Sequence, residues 1–228
     1  MEYEIVGGSM QVLRVSLSPG EKIYADSGKL VSKTQGVTMT PRLVGGILHA
    51  IERKVTGATG MLTEFNSGQG IGSLSLSGVF PGKIKAITLA EGESFTTEDY
   101  SFLAAESTVT FTVQAVGIGA ALFGQTGLVL QRFLGPGTVF MHVSGDIIEY
   151  DVDDEGSLEV DPGHIAGFSS NMSFKITVVD NVRTAMFGGM GIFLAKFTGQ
   201  GKVILHSVSR RKLSSDIFLT GEEQYKSK

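Results

Sequence analysis

The chain has 228 residues, 31 glycines, no cysteine and a formal net charge of −4. Its length suits one large domain with a sizeable core. The lack of cysteine excludes disulfides and thiolate metal sites, and the acidic balance removes any general attraction to nucleic acid.

The start, Met1-Glu2-Tyr3-Glu4, lacks the basic and apolar regions of a signal peptide, so a cytoplasmic location is expected. A tight turn with apolar flanks follows, Leu17-Ser18-Pro19-Gly20-Glu21-Lys22-Ile23. Val37-Thr38-Met39-Thr40 then alternates in polarity, which predicts a strand with one face in a core. Next come an apolar glycine-rich loop, Leu43 to Leu48, the signature Gly57-Ala58-Thr59-Gly60, the apolar pair Met61-Leu62, and Gly68-Gln69-Gly70.

The series then returns. The turn Leu89 to Phe95 leads to alternation over Thr108 to Val113 and an apolar loop from Val116 to Phe123. Gly124-Gln125-Thr126-Gly127, Leu128-Val129 and Gly135-Pro136-Gly137 complete it. A third round runs through the turn Val160 to Ile165, alternation over Ser173 to Val178, and the loop Ala185 to Phe193. That loop contains Gly188-Gly189-Met190-Gly191, and Gly199-Gln200-Gly201 follows it. A period of roughly 65–70 residues marks a triplicated β-rich unit. The fold class read from this is all-β: one domain over 1–228, made of three repeats at about 1–78, 79–145 and 146–228. Each repeat reads as turn, strand, loop, strand, turn, strand. Sustained helical periodicity is missing; the best short candidates are Glu98 to Glu106 and the tail after Ser214. No apolar run spans a bilayer as a helix; Ala115 to Leu122 is too short.

Candidate chemistry is sparse. His142 and His206 lie five residues after the second glycine of their Gly-x-Gly, where the first repeat has Ser75. Around a threefold axis the three would meet, but two histidines and a serine make a poor zinc set, so strand histidines are expected. Asp151-Val152-Asp153-Asp154-Glu155-Gly156 begins like a calcium loop, yet Pro162 stands where a bidentate glutamate belongs, which leaves a charged hairpin tip. Gly199-Gln200-Gly201-Lys202 lacks the spacing and the hydroxyl of a phosphate loop. A Gly-x-Ser-x-Gly elbow is absent, and nothing places two carboxylates across a cleft. No metal, cofactor or catalytic residue is therefore assigned.

The three apolar loops carry the functional signal. Small residues allow close backbone approach, and Met and Phe supply adaptable apolar area. If the loops gather at one end they form either an interface or a buried filling of the domain's end. The interface reading selects Ile47, Leu48, Ile118, Leu122, Phe123, Met186, Phe187 and Met190.

The run from Arg183 to Leu194, followed by Phe197-Thr198-Gly199-Gln200-Gly201-Lys202-Val203, resembles the end of the mitochondrial-biogenesis family of the altered-inheritance-of-mitochondria twenty-four type. Phe133-Leu134-Gly135-Pro136-Gly137-Thr138-Val139-Phe140 matches its central glycine motif, and the similarity extends over nearly the whole chain. Ile204-Leu205-His206 replaces the family's usual aromatic-glutamine pair. The resemblance implies three β-rich repeats in pseudo-threefold arrangement, with sandwich-like or β-helix-like sheets related to the trp RNA-binding attenuation protein. It implies no enzyme, a prokaryotic cytosolic member, and a homo-oligomer with a trimer favoured over a dimer. The expected function is a non-enzymatic structural or interaction module that self-associates through the glycine-rich loops or contacts a protein or membrane surface. The rival reading is a small-ligand or RNA-binding module on the attenuation-protein-like fold.

Overall fold

The computed structural model describes residues 1–42, 62–116, 128–179, 192–209 and 213. The first strands are β1 (Glu2–Val6), β2 (Val12–Leu17), β3 (Lys22–Asp26), β4 (Leu30–Lys33), β5 (Thr38–Arg42), β6 (Leu62–Asn66) and β7 (Gly72–Ser77). Then come β8 (Gly82–Leu89), β9 (Ser94–Glu98), β10 (Phe102–Glu106), β11 (Thr110–Val116), β12 (Leu128–Leu134) and β13 (Gly137–Ser144). The last are β14 (Ile147–Val152), β15 (Ser157–Val160), β16 (Ile165–Ser169), β17 (Ser173–Val179), β18 (Ile192–Thr198) and β19 (Gly201–His206). Short 3-10 turns at Ser27–Lys29, Asp99–Ser101 and Pro162–His164 precede β4, β10 and β16. The class is all-β, as the alternation predicts. In β7 the sequence GSLSLS buries Leu74 and Leu76 and turns serines outward, and VLRVSL in β2 does the same with Leu13, Val15 and Leu17.

The same antiparallel pairings occur in three stretches of chain. β2 and β4 flank β7, while β3 and β5 flank β6. β8 and β10 flank β13, while β9 and β11 flank β12. β14 and β16 flank β19, while β15 and β17 flank β18. Even the bulges correspond: register slips at Val31, Leu103 and Ala166, in β4, β10 and β16. Neighbouring stretches are joined by β10 on β3 and by β16 on β9, which makes two six-stranded sheets. The remaining strands form the four-stranded sheet β1-β2-β7-β4 and the three-stranded sheet β15-β18-β17.

Each stretch has its own core and borrows from its neighbour. Phe102, Phe111 and Phe133 stack in the middle cluster with centroids 4.9–6.2 Å apart. Tyr24 from the first stretch enters the same cluster and donates its hydroxyl to the Val109 carbonyl at 3.1 Å. Phe140 of the middle stretch packs the other way, into the cluster of Leu13, Leu17, Phe65 and Leu76.

Several expectations are corrected. Each stretch holds six recurring strands, not three, and the first adds β1: the strand before the first turn and the short strands around the 3-10 turn carry no long alternation of their own. The turn equivalent to Leu17–Ile23 and Leu89–Phe95 is Val152 to Leu158, since Asp161-Pro162-Gly163-His164 aligns with the 3-10 turns instead. Glu98 to Glu106 is no helix; its centre is a 3-10 turn and its end is β10.

Candidate functional site

The eight residues singled out for contact, Ile47, Leu48, Ile118, Leu122, Phe123, Met186, Phe187 and Met190, lie outside the described residues. The strands that bracket them do not. Arg42 pairs with Leu62, Val116 with Leu128, and Val179 with Ile192. Each loop therefore springs from the mouth of a hairpin, and the three hairpins occupy the same position in the recurring topology.

The 3-10 turns locate those mouths. Leu62 pairs with Asp26, Leu130 with Glu98, and Ala195 with Val160, the residue before Asp161. Asp26, Glu98 and Asp161 cap the three turns, their carboxylates accepting the N–H of Gly28, Tyr100 and Gly163. The turns are tied together. Buried Lys29 donates from Nζ to the carbonyls of Tyr100 (2.9 Å) and Phe102 (2.7 Å). Ser101 Oγ lies 3.1 Å from His206 Nε2, and His164 Nδ1 donates to the His206 carbonyl at 2.7 Å. All three hairpin mouths thus open at one end of the molecule.

The histidines belong to that same end, as structural groups. Gly72, Gly137 and Gly201 each pair with the last residue of the strand beside them, so the equivalents of His142 and His206 include Ser77, not Ser75. The first turn is two residues longer, which hid this register. The His142 ring packs flat on Gly78, where an added Cβ would lie 2.2 Å from its Cγ and Cδ2. His206 Nδ1 accepts the Ser144 N–H at 2.9 Å. Its proton therefore sits on Nε2 and points at Ser101 Oγ, the wrong direction for drawing a proton off that serine. Ser101 and His206 form a buried hydrogen bond, not a nucleophile and its base. Among the described residues no group of three or more His, Asp or Glu could hold a metal ion; His49 lies outside them.

The acidic run also resolves into structure. Asp151 accepts from Lys202 at 2.7 Å, and the Gly156 N–H reaches the Asp153 carbonyl at 3.1 Å. This turn joins β14 and β15, which lie in different sheets, so it is no hairpin tip. Glu149 bridges Lys85 (2.6 Å) and Lys202 (3.4 Å) on the surface. Lys85 holds the Glu149 carboxyl below its ordinary value despite some desolvation. Asp151, with help from Glu149, raises the Lys202 ammonium above its ordinary value. Lys202 starts β19 rather than a helix, so no phosphate cradle forms there.

A family model for mitochondrial biogenesis AIM24 matches residues 3–208. The chain belongs to the AIM24 family. It is similar to an uncharacterized protein of Streptococcus pyogenes serotype M6, with 26% identity over 218 residues, which cover 92% of this chain and 87% of the relative. An X-ray crystal structure of another Streptococcus pyogenes protein superposes with a TM-score of 0.79 at 23% identity, covering 96% of this chain and 99% of that one. That likeness shows a shared fold.

For this AIM24 chain, sequence reasoning missed the 3-10 turns and buried Lys29. The signal was available: Asp26-Ser27-Gly28 and Asp161-Pro162-Gly163 both place an acidic residue two before a glycine, the pattern of a side-chain-capped turn.

Proposed function

We propose that this AIM24-family chain is a non-enzymatic interaction module of the cytoplasm, which self-associates through the three apolar glycine-rich loops. The observation that carries the reading is that all three hairpin mouths open beside 3-10 turns that are linked, the first to the second by Lys29 and the second to the third through His206. Three loops that carry Ile47, Leu48, Ile118, Phe123, Met186 and Phe187 and leave neighbouring hairpin mouths would together present apolar area that a monomer would not comfortably expose. A cyclic homo-oligomer covers such a patch, and a trimer is favoured by the family resemblance. The net charge of −4 supports a partner other than nucleic acid.

The test is the double substitution Ile118→Asp and Phe123→Asp. Light scattering should show a shift toward monomer while the β-type circular dichroism is retained. Unfolding would support buried loops instead. An unchanged oligomer would remove the loops as the self-contact, and vesicle flotation would then ask whether they meet a membrane surface. A gel shift with single-stranded RNA at low salt should stay negative; a shift would favour the RNA-binding reading.

A further inference from the structure

The recurring topology leaves one pairing unmade. The first strand after each 3-10 turn pairs with the strand after the tight turn of the preceding stretch: β10 on β3, with Ala104 opposite Ala25 and Ala105 opposite Tyr24, and β16 on β9, with Gly167 opposite Thr97 and Phe168 opposite Thr96. Matching backbone bonds flank both junctions, Ser107 N to Lys22 O at 3.4 Å and Ser170 N to Ser94 O at 3.5 Å. By the same rule, among the described residues β4 lacks a β3-type partner and β15 lacks a β10-type one, and these two strands are edges of separate sheets.

Burial shows what each edge is missing. Val31, the bulge residue of β4, is 58% exposed, whereas its equivalents Leu103 and Ala166 are 0% exposed because a neighbouring stretch covers them. Glu159 of β15 is exposed, whereas its equivalents Tyr24 and Thr96 are buried. Carrying the register of the two formed junctions onto the free edges sets Ser32 opposite Val160 and Lys33 opposite Glu159. Lys33 and Glu159 are both exposed, and neither forms an ion pair with another described residue. Opposite charges directly across an antiparallel pair attract, and like charges repel. In this register the charges favour β15 over a second β4 placed with Lys33 opposite Lys33.

We infer that a second copy of this chain docks its β15 edge onto β4, extending the recurring junction head to tail with Lys33 opposite Glu159. An open row of unpaired N–H and C=O groups is a template for strand addition. A contact of this kind joins two different surfaces, so it builds a ring or a filament. It is made by two strand edges next to the 3-10 turns and not by the loops themselves, so substitutions at Lys33 and Glu159 test it separately from substitutions in the loops.

Because the chain has no cysteine, engineered thiols report without background. The single variants Lys33→Cys and Glu159→Cys are mixed and treated with a short bismaleimide. The inference expects a cross-linked product of twice the 24.2 kDa chain mass that contains one copy of each variant. An intramolecular link in the double variant, with none in the mixture, would mean that the chain closes on itself and would overturn it. So would a product dominated by Lys33→Cys homodimers, or no product at all. Charge reversal is the second reading. Lys33→Glu or Glu159→Lys alone should weaken association about fivefold, and the two together should restore it. Failure of the exchange to restore it would refute the register. Circular dichroism of each variant confirms that the fold is intact, as both sites are exposed.

Discussion

Replacing Gly82 by alanine tests how the stretches are joined. Gly82 opens β8, pairs with Ser144, and also bridges in parallel to Met10 on one side and Gly145 on the other. Its carbonyl accepts the Gln11 N–H at 3.1 Å. A Cβ built there would lie 2.1 Å from the Val143 carbonyl oxygen and 2.8 Å from His142 Nε2. The oxygen is backbone at the penultimate residue of β13, where that strand pairs with β8, so relief needs a backbone shift of about 1 Å. Overpacking of that kind costs about 1–3 kcal/mol, and with three attachments resisting, about 3 kcal/mol is the expected value. For a chain of this size that lowers Tm by about 6–12 °C. Gly36→Ala is the control. An added Cβ at Gly36 meets nothing within 4 Å, and its φ is not positive, so it should be neutral or stabilising by up to about 1 kcal/mol. Urea titrations of both variants give the comparison. Equal midpoints for the two would refute the close backbone junction.

Other outcomes follow from the same geometry. His206→Ala should destabilise by about 2 kcal/mol, because the buried Ser144 N–H loses its acceptor, while the Ser101 hydroxyl keeps its bond to Glu98. His206→Asn, whose Oδ1 replaces Nδ1 as acceptor, should recover part of that in the same urea titration. The Glu149 carboxyl is held low by Lys85, so its contribution is present at neutral pH and lost as pH falls through its folded value, below 4.5. Lys85→Met should therefore flatten the acid limb of the stability profile and cost about 0.5 kcal/mol at pH 7, since the pair is surface-exposed. The Lys202 contribution is present below 10.5 and fades as pH rises through its raised value, so Lys202→Met should flatten the alkaline limb.

Much of the fold was legible because it is written in strong local signals. Alternation marked β5, β11 and β17, and turn glycines bracketed β6, β12 and β18. What was not legible had physical reasons. β4, β10 and β16 are short and broken by a bulge, so no period survives, and Leu103, Ala104 and Ala105 are all buried, which reads as helix or strand equally well. The Ser75 assignment failed because Ile71-Gly72 lengthens one turn and moves the register. The eight loop residues singled out lie outside the described residues. That the 3-10 turns beside the hairpin mouths are linked was not legible, because it depends on where Lys29, Ser101 and His164 reach, and those contacts cross more than forty residues of chain.

The proposed function requires that the three apolar loops share one end. Spin labels on single cysteines at Leu48, Phe123 and Met186, with a reference label at Glu91 in the turn before β9, measure it by double electron–electron resonance on pairwise variants. Every loop-to-loop distance should be shorter than every loop-to-Glu91 distance. One loop label lying closer to Glu91 than to the other two loops would contradict it.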